Sequence, residues 1–170
     1  MKFNAQTSDF PATFYVFIEI PEGTSNKLEY KFDVDNVVLD RILFTSMVYP
    51  TNYGFVLNTK AKDEDPLDVL VISSTPIPSG VIVKCRAVGI AEMSDEEGSD
   101  NKVLAVPVDK VDPASPEIQD INDVPEYLKD KIKHYFMHYK ELEKGKFMTF
   151  HDFKNKKEAI SQIEESLLRN

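Results

Sequence analysis

Three aspartates stand at i, i+2 and i+5 in KAKDEDPLDVLVI: Asp63, Asp65 and Asp68. In an extended backbone Asp63 and Asp65 project to one side, and Pro66 stiffens the turn while removing a backbone donor. Asp68 lies among Leu67, Val69, Leu70 and Val71, where a carboxylate is costly unless something positive faces it. A lone Asp there would read as a turn residue hydrogen-bonded to backbone. Three acids converging on one strand end point instead to a metal ion held through oxygen. A second cluster, EMSDEEGSDNKVLAVP, carries Glu92, Asp95, Glu96, Glu97 and Asp100 around Gly98. It lacks the EF-hand pattern, and taken alone it reads as a solvated acidic hairpin. Together the two clusters suit Mg²⁺, a hard ion that keeps waters and uses a few carboxylates plus substrate phosphates. No Cys/His set exists for Zn²⁺.

Cations are interleaved with the acids: Lys27 in NKLEYKFD, Arg41 in LDRILFTS, Lys102 two residues after Asp100, and Lys140 in HYKELEKGKF. Singly each reads as solvated surface. Jointly with the acids they describe a mixed-charge pocket of the kind that neutralises a polyanionic phosphate during phosphoryl transfer. Tyr49 and Tyr53, in VYPTNYGF, either donate to phosphate oxygens or fill the core. His134 and His138 stand one helical turn apart without the Glu of H-E-x-x-H, which favours packing or an interface over a metal. Cys85 lies mid-strand among apolar residues, the setting of an inert thiol. There is no nucleophile elbow, P-loop or G-x-G-x-x-G.

The chain has 170 residues, a length that fits one domain over 1–170. Hydrophobic residues make up 42% and charged residues 29%, with 7 Tyr and 11 Phe, a composition unlike a disordered tail or a repeat array. The net charge of −9 argues against a protein that wraps nucleic acid, whose affinity comes from neutralising phosphates. The longest apolar run, Phe14 to Ile18, is far short of the ~20 residues of a membrane span. The opening MKFNAQTSDF carries no signal-peptide pattern, and one cysteine allows no intrachain disulfide. A soluble, cytoplasmic protein is expected.

The elements that must position these groups change character once. Up to about Pro107 the chain reads as strands: Phe14–Ile20, Leu28–Phe32, Val37–Leu39, Leu67–Ile72, Val81–Ile90 and Val103–Val108, with Pro107 at an edge or an end. Short strands at such spacing suggest a small closed or half-closed barrel. The remainder reads mainly as helix. Asn122 or Asp123 is expected to cap a helix with Pro125 in its first turn, striped by Val124, Leu128, Ile132, Phe136 and Tyr139 and followed by Gly145. A second helix is expected from Asn155, with Glu158 closing a capping box and Ile160, Ile163 and Leu167 on one face. The fold class is α+β, with two main helices in the C-terminal third.

The segments FIEIPEGTSNKLE, LDRILFTSMVYPTNYGF, DEDPLDVLV, EMSDEEGSDNKVLAVP and HYFMHYKELEKGKF span about Phe14 to Phe147. In order and spacing this sequence resembles the family I soluble inorganic pyrophosphatases of the short bacterial or archaeal type, whose signature is D-x-D-P-x-D-V. The resemblance implies a small five-stranded OB-like β-barrel with flanking helices, assembled as a homo-oligomer, with a hexamer favoured. It implies Asp65 as general base, with Tyr53 close to the metal acids. It implies Asp63, Asp68 and Asp100 as ligands of the tighter metal site, Asp68 bridging to a second. Asp95 and Asp100 would hold a metal that arrives with substrate, Glu19 would support through water, and Glu29 would face a further metal. Lys27, Arg41, Tyr49, Lys102, Tyr139 and Lys140 match the substrate-binding groups.

Two departures stand out. Glu64 occupies a position that is usually Gly, so its turn must avoid a positive φ or accept strain. Leu28 stands where the short enzymes usually have Tyr. The pairing Lys27-Leu28-Glu29 keeps the distance from Glu19 and both charge types, while the alternative Glu29-Tyr30-Lys31 reverses them. The implied reaction is Mg²⁺-dependent hydrolysis of pyrophosphate to two orthophosphates, which removes a by-product of biosynthesis. The competing readings are another two-metal phosphoesterase acting on nucleotides or nucleic acid, and an acidic OB-like binding module without catalysis.

Overall fold

The computed structural model describes residues 3–62 and 64–167. Strands come first: β1 (Phe14–Ile20), β2 (Asn26–Lys31), β3 (Asn36–Ile42), β4 (Asn52–Val56), β5 (Asp68–Val71), β6 (Ile82–Asp95), β7 (Gly98–Ser99) and β8 (Lys102–Pro107). Then follow the 3₁₀ turns Ser115–Glu117 and Ile121–Asp123, helix α1 (Glu126–His138), β9 (Met148–Asn155) and helix α2 (Lys156–Ser166). No helix among the described residues is long and apolar enough to cross a membrane.

Hydrogen bonding runs from β1 to β4, β5, β8 and β6 and then returns from β6 to β1, so these five strands form a ring within a mixed sheet. Among the described strand pairs only β5–β8 is parallel. β6 also carries β7 and β9, and β2–β3 is a separate two-stranded sheet. The ring strands are apolar on both faces because each face meets a cluster. Phe14, Val16 and Ile18 of β1, Val69 and Val71 of β5, and Val103 and Ala105 of β8 gather with Ala159 and Ile163 of α2. The alternate residues Leu70, Leu104 and Val106, with Ile20 past a register slip in β1, cluster with Ile132, Tyr135 and Phe136 of α1. A third, aromatic cluster of Phe3, Phe17, Tyr30 and Phe55 joins the hairpin to β1 and β4.

Several expectations are corrected. Pro107 ends β8, which runs between β5 and β6, so it marks an end and not an edge. Helix is the larger share after it but not the whole, because β9 pairs along the far half of β6. β9 escapes a period-two pattern because the register slips opposite Glu92/Met93, leaving His151 as the extra residue. Its inward Met148, Phe150 and Phe153 are thereby spaced two and then three apart, a helix-like interval. β4 also went unread. α1 has no side-chain cap, and Asp123 instead closes a capping box with Asp120 around the preceding 3₁₀ turn. α2 is capped by Asn155 and Glu158 as the sequence indicates. Its buried face is Ala159, Ile163 and Ser166, and Leu167 lies beyond the helix, bridging to Thr59.

Candidate active site

Three local features of the strands aim polar groups at one end of the ring. In β1 the register with β4 slips between Ile18 and Ile20, so Glu19 is the inserted residue of a bulge, a device that re-aims a side chain. In the parallel pair, Val69 lies opposite Val103, which sets the preceding residues, Asp68 and Lys102, side by side. Across β4–β5, Tyr53 pairs with Leu70 and Phe55 with Asp68, so the Tyr53 ring leans along the strand towards Asp68. Gly54 lets β4 pass close to β1 on its other side: a Cβ there would lie 1.9 Å from the Phe17 carbonyl oxygen.

The result is a compact charge cluster. Lys102 Nζ donates to Asp68 Oδ2 and to Asp100 Oδ1 at 2.7 Å each, and Lys102 is only 3% exposed. Burial works against its charge, but the two carboxylates outweigh it and hold the ammonium well above the ordinary lysine range. Tyr53 Oη donates to Asp68 Oδ2 at 2.5 Å. Burial, with Asp68 and Asp100 beside it, pushes the Tyr53 phenol well up, so it remains a donor. Glu19 Oε1 accepts from the Tyr30 N–H at 2.8 Å, which ties the β2–β3 hairpin to the ring. Burial pushes Glu19 up to about 8, against that hydrogen bond and with Asp68 and Glu29 adding to the rise.

Between this wall and the hairpin lies a cavity of about 400 Å³. Lys27, Glu29 and Arg41 line it from the hairpin, and Asp65 lines it from the loop before β5. Asp95, at the end of β6, faces Lys140 at 3.6 Å, while Glu96 meets Lys140 at 3.4 Å and Lys146 at 2.9 Å. Tyr139, just past α1, closes the site, its phenol raised to about 12 chiefly by burial. Lys27 and Glu29 both reach the cavity, as do Tyr30 and Lys31, and the Tyr30 ring also belongs to the aromatic cluster.

Not every expected residue comes to the cavity. Tyr49 is buried in the core behind it, its ring 5.8 Å from that of Tyr53 and 5.0 Å from that of Tyr135. Asp63 lies outside the described residues. His134 and His138 stack on each other at 4.6 Å between ring centroids, away from the cavity, and His138 Nδ1 pairs with Glu141 at 2.9 Å. Cys85 is fully buried, and burial raises its thiol out of the reactive range.

Sequence reasoning missed the groups that hold the hairpin's cations. Asp40 Oδ2 lies 3.2 Å from Lys27 Nζ and 2.6 Å from Arg41 Nη1, and Glu143 pairs with Arg41 Nε at 2.9 Å. Asp40 had a usable signal, an Asp-Arg step within a strand, whereas Glu143 is 102 residues from its partner. Lys146 was missed as well.

The cavity's donors are entirely of the oxygen type that hard cations take. Among the described residues, eight carboxylates line it (Glu19, Glu29, Asp65, Asp68, Asp95, Glu96, Glu97 and Asp100) against six cations. Among the described residues no three of the possible ligands converge as a closed cage. The donor set suits a hard divalent cation that completes its shell with water and substrate oxygens.

Comparison with known proteins converges on one family. The family model described as inorganic pyrophosphatase matches residues 16–170. An inorganic pyrophosphatase of Thermoplasma volcanium is 64% identical over 98% of this chain and 98% of the relative. One from Aquifex pyrophilus is 45% identical over 92% of this chain and 89% of the relative. The crystal structure of inorganic pyrophosphatase from Thermus thermophilus superposes with a TM-score of 0.93 at 40% identity, covering 96% of this chain and 94% of that one.

Proposed function

The chain belongs to the inorganic pyrophosphatase family, and from that premise we propose that it hydrolyses inorganic pyrophosphate to two orthophosphates with Mg²⁺. The observation that carries the reading is the opposition of two charge sets across one cavity. Asp68, Asp100 and Tyr53 surround Lys102 on the ring, and Lys27 and Arg41 face them from the hairpin. A site for a small polyanion with metal ions needs both.

Asp63, Asp68 and Asp100 are the proposed ligands of the tighter Mg²⁺ site. Asp95 joins Asp100 at a second site, Glu19 supports through water, and Glu29 serves a further ion. When bound, Mg²⁺ supplies a water of lowered pKa and neutralises phosphate charge. Asp65 takes the proton of the attacking water. The water oxygen bonds to one phosphorus in line as the bridging P–O bond breaks, and the bridging oxygen leaves with the second phosphate. Lys27, Arg41, Lys102, Tyr139 and Lys140 hold the phosphates and stabilise the charge that builds on the leaving group. Tyr53 keeps Asp68 oriented through its hydrogen bond. Tyr49, a candidate phosphate group by resemblance, is placed to support Tyr53 from behind. No side chain forms a covalent bond to phosphorus.

The five-strand ring is read as an OB-like barrel, and 1–170 as one domain of a cytoplasmic homo-oligomer, a hexamer. The apolar, His-bearing segment 124–143 is the proposed subunit contact, and sedimentation showing a monomer at micromolar concentration rejects it. Orthophosphate release from pyrophosphate, assayed with Mg²⁺ and with the metal chelated, tests the reaction. Fast release that chelation abolishes is expected. Asp65→Asn should lose at least about 10²-fold in kcat, the scale of a general base, with an unchanged melting temperature. Near-normal turnover in that variant would remove Asp65 from the role.

A further inference from the structure

The loop that carries Asp65 is held in an unfavourable backbone conformation by contacts that can be named. At its base, the Thr59 hydroxyl donates to the Val56 carbonyl at 2.6 Å and accepts from the Leu67 N–H at 3.1 Å, tying both stems together. Above it the Ala61 N–H donates to the Asp65 carbonyl at 2.7 Å, and the Glu64 N–H to the Ala61 carbonyl at 3.2 Å. Glu64 sits in this closure at φ 76°, left-handed backbone that glycine adopts freely and a residue with a Cβ resists. The Glu64 carboxylate reaches back four residues to an ion pair with Lys60. Lys60 is itself anchored, because its N–H donates to the Ser166 carbonyl at 2.7 Å at the end of α2.

We propose that the Lys60–Glu64 pair is a positioning latch for Asp65. The pair offsets the resistance of Glu64 to left-handed backbone and so keeps the Asp65 loop closed on the cavity wall. The proposal rests on the pyrophosphatase reading, in which Asp65 takes the proton of the attacking water. A general base works only within about 2.6–3.2 Å of its proton source, so a loop that opens part of the time loses turnover in proportion. Both partners of the latch are well exposed, 42% for Lys60 and 78% for Glu64, so the latch is weak and its effect modest. A loop with Gly at 64 needs no latch, since the conformation then costs nothing extra.

That last point supplies the test, a double-mutant cycle on the Mg²⁺-loaded protein. Lys60→Met should lower kcat by at most about two- to fivefold, a ceiling that at about 1.36 kcal/mol per tenfold is ~0.4–1 kcal/mol, the range of an exposed pair. KM for pyrophosphate and the melting temperature should hold steady. Glu64→Ala, which keeps the strain and drops the pair, should match Lys60→Met. Glu64→Gly should turn over at least as fast as wild type, and Lys60→Met added to it should change nothing. A second readout is independent of activity: cleavage after exposed Lys62 by a lysine-specific protease should speed up in Lys60→Met and not in the double variant. Equal losses from Lys60→Met in both backgrounds, or unchanged kcat and unchanged cleavage, would overturn the latch. Wild-type protein that releases no orthophosphate would defeat the functional reading, and the cleavage rates would still decide the latch.

Discussion

Lys102 and Arg41 face the same cavity, yet their surroundings differ. Lys102 is 3% exposed and bonded to carboxylates at the heads of two ring strands, with the rings of Tyr53 and Phe136 within 6 Å. Arg41 is 27% exposed, stands on a hairpin outside the main sheet, and is held by Asp40 and by Glu143 from beyond α1. One wall fixes its charges by strand register and burial. The other holds them on a two-stranded element that a partly buried set of ion pairs steadies. A site that binds a polyanion and then releases two phosphates gains from having one rigid wall and one adjustable wall.

The comparison predicts different consequences for altering a cation on each wall. Lys102→Met leaves Asp68 and Asp100 facing each other without their shared ammonium. Breaking such a buried pair should cost about 3 kcal/mol of stability, read in a urea titration, together with most of the turnover. A variant that keeps wild-type stability would mean the ring wall is not held by this cluster. Arg41→Lys keeps the charge on the adjustable wall but loses the fork that spans Asp40 and Glu143. It should raise KM for pyrophosphate about tenfold, ~1.4 kcal/mol, and change unfolding free energy by no more than about 0.5 kcal/mol. A stability loss as large as that of Lys102→Met would erase the distinction between the walls.

The two walls were also unequally legible. The D-x-D-P segment, the Asp100–Lys102 step and the capped start of α2 are local in sequence, so types and spacing reveal them. Asp68 meets Lys102 only because β5 and β8 pair in parallel, a non-local register that no spacing encodes. β4 was hidden by a buried Asn52 and by Gly54, both poor strand signals. Asn52 is satisfied because its amide bonds Val71, Ser73, Glu22 and Ile77 across four segments, and Gly54 is needed for the close pass of β1. The bulge at Glu19 is likewise invisible, since one inserted residue alters facing without altering composition. At Glu64 the sequence did pose the right choice, and the φ of 76° answers it: the turn accepts the left-handed backbone.

Asp40 gives the smallest effect and the sharpest check on the adjustable wall. Its carboxylate touches no part of the ring cluster and acts only through Lys27 and Arg41. Burial would raise its pKa, but those two cations outweigh it and leave the group below the usual carboxylate range. A depressed folded pKa contributes stability above the unfolded value of about 3.9, and that contribution is lost as pH falls through the folded value. Asp40→Asn should therefore be less stable than wild type by under about 1 kcal/mol at neutral pH, since the carboxylate is 30% exposed. The gap should close in acid. Its KM for pyrophosphate should rise about threefold with kcat nearly unchanged, because both cations remain and only their aim loosens. A fall in kcat without a rise in KM would show that Asp40 reaches the reacting atoms through the ring wall after all, and the two walls would have to be treated as one.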